Sequence, residues 1–187
     1  MRWHELFADL EAQATSLQRA DQESEISERT RGELGHVTLI NRLRAHVARP
    51  VTMAVTGAGD LSGVLQRVGA DWLLLATTDE AIVPLAAVIA VLDLPPRAVS
   101  DDGVSVVTSG LRLTSVLRAV ARDRSAVTVI RRDGHAMVGT PDRVGADFVD
   151  IALHELGEAP RRQQVRSRAT VSFDAIGCVR RRPSGWD

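Results

Sequence analysis

Lysine and tyrosine are absent from this chain, and all 23 of its basic residues are arginine. That bias reflects high-GC coding more than a selected chemistry. Cysteine occurs once, as Cys178 in the apolar run AIGCV, so an intramolecular disulfide and a cysteine zinc site are excluded and a buried small hydrophobe is expected. The aromatic residues are Trp3, Phe7, Trp72, Phe148, Phe173 and Trp186, few for the stacking platforms that single-strand nucleic-acid binders use. No stretch nears the roughly 18 to 20 apolar residues of a membrane helix, and the opening MRWHELFADLEAQ is acidic and amphipathic, unlike a signal peptide. A cytoplasmic protein with no membrane partner is expected. The net charge of -1 argues against a generic polyanion binder.

Catalytic signatures are missing as well. The histidines His4, His36, His46, His135 and His154 show no metal spacing, and neither GxSxG nor HExxH occurs. Surface positions are expected for them, including His154 beside Glu155 and Glu158. TGAGD, at residues 56–60, falls between two strand-like runs and opens no helix, so it reads as a hairpin turn, not a phosphate loop. No cofactor, no metal, no catalytic residue and no small-molecule substrate is implied, and the chain is expected not to be an enzyme.

With 187 residues and 44% hydrophobic content, the chain is long enough for one compact core or two small ones. Residues 1–35 have their first glycine at Gly32 and carry Trp3, Phe7, Leu10, Ala14 and Leu17 at helical spacing, which predicts an amphipathic helical arm. A second amphipathic piece, VTLINRLRAHVAR, precedes a switch to alternation at PVTMAV. Short strand-like runs follow, separated by TGAGD and GAD turns. LPPRAVSDDGVSVVTSG supplies the best linker signal, placed at 96–110.

Beyond the linker the plan recurs. A shift of 76 residues lays Thr38 on Thr114, Arg42 on Arg118, Val51 on Val127, Gly63 on Gly139, and the block RVGAD (Arg67 to Asp71) on RVGAD (Arg143 to Asp147). The closing strands, VPLAAVIAV and VSFDAIGCV, match at an offset of 88, which leaves an insertion near 155–168. Each unit is a short helix with about five strands, and crossover helices for a parallel sheet are lacking.

A helix before PVTMAV, a glycine turn, LSGVLQRVGADWLLL with Gly63, and VPLAAVIAV together resemble the Sm-like small β-barrel of Sm and Hfq-type RNA-binding proteins; Gly139, Val149 and Ile151 carry the same likeness in the second half. The strand–corner–strand ending is also similar to the carboxy-terminal barrel of the ribosome maturation factor RimP. The resemblance implies a mainly β chain with helices, α+β in class: two Sm-like barrels in tandem, at 36–95 and 111–182, preceded by the helical arm and followed by a tail at 183–187. The family's third-strand asparagine has no counterpart here, so its base-binding pocket is not carried over.

The charge is uneven: residues 1–35 hold four arginines against eight acids, whereas 111–187 hold fourteen against nine. Arg161, Arg162, Arg166 and Arg168 in the insertion, Arg180, Arg181 and Arg182 at the end, and the paired Arg67 and Arg143 are the candidates for binding nucleic acid or an acidic partner. Trp3, Phe7 and Leu10 of the arm, with Trp72 and Phe148, are the candidates for an interface. Alternation sets Trp72 and Phe148 on the strand face opposite Leu73, Leu75, Val149 and Ile151. The expectation is a binding or assembly module joined to a protein partner or to itself, with RNA binding through the second unit's arginines as the alternative.

Overall fold

PVTMAV alternates side chain by side chain, and in the computed structural model Val51, Met53 and Val55 are buried while Thr52 and Ala54 between them are half-buried. This period of two builds nearly the whole fold. The structure describes residues 35–99, 110–154 and 167–181. The chain divides into two compact units, Met1–Thr38 and Leu39–Asp187. The expected arm at 1–35, with Trp3, Phe7 and Leu10, lies outside the described residues except for its last position.

The second unit begins with a short helix, α1 (Leu39–Ala45), followed by β1 (Pro50–Val55), β2 (Gly59–Val68), β3 (Trp72–Ala76), β4 (Glu80–Pro84) and, after a single 3-10 turn at Leu85–Ala87, β5 (Val88–Leu92). The longer helix α2 (Leu113–Asp123) opens the second set. It is followed by β6 (Val127–Arg131), β7 (Ala136–Val144), β8 (Phe148–Leu153), β9 (Ser167–Ser172), a 3-10 turn at Phe173–Ala175, and β10 (Ile176–Arg181).

All ten strands belong to one sheet, in the order β5-β1-β2-β3-β4-β10-β6-β7-β8-β9, and every pairing is antiparallel. This corrects the expectation of two closed Sm-like barrels. Closing each set on itself would require β4 to bond β5 and β9 to bond β10. Instead the outer hydrogen-bonding groups of β4 are taken by β10, in the register Ile82 to Val179, Ala81 to Arg180 and Glu80 to Arg181. The sheet stays open, with β5 and β9 as its edges.

Corresponding positions in the two sets make the same bonds. Gly69 N–H donates to Trp72 C=O at 2.8 Å, and Gly145 N–H to Phe148 C=O at 2.9 Å. Leu85 N–H donates to Asp71 C=O at 2.8 Å, and Phe173 N–H to Asp147 C=O at 2.7 Å. The register shift between Leu65 and Arg67 in β2 recurs between Pro141 and Arg143 in β7. At that bend Pro141 sits where a missing N–H is tolerated.

Two apolar cores lie along the sheet. Leu43 of α1 packs with Met53, Val55, Leu65, Leu73, Leu75 and Val83. Leu113 and Leu117 of α2 pack with Val127, Val129, Val149, Ile151 and Ile176. The cores exchange one residue each: Cys178 on β10 belongs to the first, and Trp72 on β3 belongs to the second. Burying side chains of this size stabilises by about 1.5 to 3 kcal/mol apiece, so the joint between the sets is part of both cores.

Candidate functional site

The joint shows how one set of strands receives the next. Trp72 is only 4% exposed, and its indole N–H donates to Leu111 C=O at 2.8 Å. The same carbonyl accepts from Ala70 N–H at 2.9 Å. Asp71 reaches across, its carboxylate accepting the N–H of Leu113 at 2.7 Å. Leu113 opens α2, whose own preceding residue, Arg112, supplies no side-chain cap. The carboxylate satisfies one of the unpaired amides at that helix start and complements its positive end. The first RVGAD block is thus a seat for the entry to the second set.

Beside this seat runs a cleft of about 760 Å³, lined by Trp72, Leu74 and Ile82 from the first set and by Val116, Val120 and Val179 from the second. An ion-pair cluster borders it. Arg181 Nη2 lies 2.8 Å from Glu80 Oε2 and its Nη1 3.1 Å from Asp123 Oδ2. Because Glu80 and Arg181 are directly opposed in the strand pairing, the pair also marks the register of the joint.

The second RVGAD block meets different surroundings. Phe148, which stands where Trp72 stands, is 36% exposed, and Asp147 is exposed. At the matching edges, β5 presents Ile89 at 69% and Leu92 at 52% exposure, whereas β10 is buried from Ile176 through Val179. Among the described residues β9 pairs only with β8.

The candidate arginines do not converge. Arg67 and Arg143 are exposed at the equivalent bends of β2 and β7, and Arg67 borders the cleft. Arg168 is on strand β9 and not in a loop; its guanidinium lies 3.3 Å from the Asp142 carboxylate. Arg180 and Arg181 are half-buried on β10. Arg161, Arg162, Arg166 and Arg182 lie outside the described residues.

His154 differs from its expected surface position. It is buried, with Nε2 2.9 Å from Thr140 Oγ1. Cys178 is buried, and burial pushes its thiol pKa up. At the β6–β7 turn, the His135 N–H and then the Arg131 guanidinium hold the Asp133 carboxyl below its ordinary value. Among the described residues no three His, Cys, Asp or Glu side chains are grouped to hold a metal ion, and no helix is long and apolar enough to cross a membrane.

Reading the sequence alone misses Asp71 as a helix cap, Glu80 and Asp123 as partners of Arg181, and the exposed Ile89. Asp71 had a signal, its place in the repeated RVGAD block. Glu80 and Arg181 stand 101 residues apart, and no local pattern connects them. Set against protein-family models, curated proteins and solved structures, the chain matches none.

Proposed function

We propose that this chain is a non-enzymatic binding or assembly module that acts by strand addition at the open edges of its sheet. The observation that carries the reading is the β5 edge. Proteins blunt such edges with charge, proline or a covering loop, yet here Ile89 and Leu92 are the most exposed large hydrophobic residues among those described. An edge strand offers a row of backbone donors and acceptors, and alternate side chains supply selectivity. The arginines of the described second set support a protein partner over a phosphate backbone, since Arg168 and Arg181 already face carboxylates.

In-cell photo-crosslinking tests this reading. A photoreactive phenylalanine analogue placed at Ile89 or at Thr170, on the two edges, is expected to capture protein. The same probe at Ser115, on α2, serves as the off-edge control. Capture of RNA in place of protein, strongest from Arg67 and Arg143, would overturn the reading in favour of RNA binding. Equal capture from Ser115 and from the edges would remove the special role of the edges.

A further inference from the structure

We infer that the cleft at the joint is a binding site for an amphipathic carboxylate, a medium-length fatty acid, with its chain laid along Leu74, Ile82 and Val179 and its head at Arg67. The site stands apart from the sheet edges, since among the described residues neither β5 nor β9 lines the cleft. Binding there makes and breaks no covalent bond. The shape of the cleft, its cover and its charge carry the inference.

Arg67 of β2 is opposed to Leu74 of β3, Leu74 to Ile82 of β4, and Ile82 to Val179 of β10. Directly opposed residues put their side chains on one face of a sheet, so these four form a single row across four strands. Three strand spacings make the row about 14 Å long, the reach of an extended chain of roughly ten carbons. The row also descends into the protein. Arg67 is exposed, Leu74 and Ile82 are half-buried, and Val179 is 2% exposed. One end is open to water and the other is closed by protein, the polarity that an amphipathic molecule requires.

The cover over this row is incomplete. α2 contributes Val116 and Val120 to the cleft, yet Val116 stays half-buried, as Leu74 and Ile82 do. The space of about 760 Å³ left between helix and sheet falls within the range of small-molecule sites, which are mostly apolar with a few polar groups that fix orientation. The matching place in the second set has no apolar row. Leu74 and Ile82 correspond there to Asp150 and Thr170, which are hydrogen-bonded to each other at 2.6 Å.

The charged side chains of the lining are Arg67, Arg122, Arg181, Glu80 and Asp123. Both carboxylates already face Arg181, whereas Arg67 and Arg122 form no ion pair among the described residues. The available charge in the cleft is therefore positive. A guanidinium offers a carboxylate two parallel N–H donors, and Arg67 stands at the open end of the row, where the head of the ligand lies. Arg122, in the last turn of α2, adds positive charge to the same cleft.

Fluorescence titration of the full chain with dansyl-undecanoate tests this, with decanoate, decanol and decyltrimethylammonium as competitors below their micelle-forming concentrations. Saturable, low-micromolar binding is expected. Decanoate should displace the probe, and decanol and the cationic amphiphile should do so about tenfold less well, having no carboxylate for Arg67. Arg67→Gln should weaken the probe about tenfold, whereas Arg143→Gln, at the equivalent bend away from the cleft, should leave it unchanged. Ala119→Trp, at an exposed position of α2 that lines the cleft, should block binding with the thermal midpoint held near that of the wild type. The absence of saturable binding, equal displacement by the three competitors, or wild-type affinity in Arg67→Gln or Ala119→Trp would overturn the inference.

Discussion

At the scale of single residues, two glycines at equivalent places in the two sets lie hard against the backbone of the neighbouring strand. A Cβ on Gly63 would fall on the carbonyl oxygen of Ala76, and one on Gly139 on that of Ala152. Both obstacles are neighbouring strand backbone, so neither can rotate away as a side chain would. Gly63→Ala and Gly139→Ala are each expected to cost about 1 to 3 kcal/mol, in the manner of an overpacked core. Chemical denaturation midpoints check this; two neutral substitutions would show that the strands separate more easily than their packing implies. Both glycines are conspicuous in the sequence because they share an offset with the RVGAD blocks. His154 illustrates the opposite case. Its imidazole meets Thr140 of β7, and a histidine between Leu153 and Glu155 carries no local mark of that.

At the scale of elements, the cap of α2 belongs to another part of the chain. Asp71 lies 42 residues before Leu113, so the helix start and its capping group are brought together only by the β3–β4 region. Asp71→Ala should cost about 1 kcal/mol, the usual value of a lost N-cap, and should raise amide exchange in the first turn of α2. Asp71→Asn keeps an acceptor and should cost less. Equal exchange in the wild type and Asp71→Ala would mean that the bond contributes nothing to helix stability. The strands themselves were legible: alternation in PVTMAV and the glycine turns mark β1 and the hairpins, and the strand–turn–strand ending of each half reads directly from VPLAAVIAV and VSFDAIGCV. Arg168 was misplaced because arginines, serines and glutamines lead into β9 without an apolar alternation to mark its start.

At the scale of the whole molecule, the exchange of Trp72 and Cys178 between the two cores ties their stabilities together. Trp72→Ala is expected to destabilise by about 3 to 5 kcal/mol, as large aromatic truncations do. It should also accelerate amide exchange in α2 and β8, which lie in the other set of strands. Loosening confined to β3 and β4 would show that the two cores are energetically independent.

The sequence by itself determined the local periods, the positions of the turns, the correspondence of the two halves and the opposition of Trp72 to Leu73 and Leu75 across strand β3. These follow from side-chain spacing and from glycine, which act over a few residues. Only the tertiary structure decided that the strands form one open sheet instead of two closed barrels. That outcome turns on which distant strand satisfies the outer hydrogen-bonding groups of β4, and β5 and β10 offer nearly the same backbone to it. The choice is made by burial of Trp72 against α2, by the Asp71 cap and by the Glu80–Arg181 pair, all contacts between residues far apart in the chain.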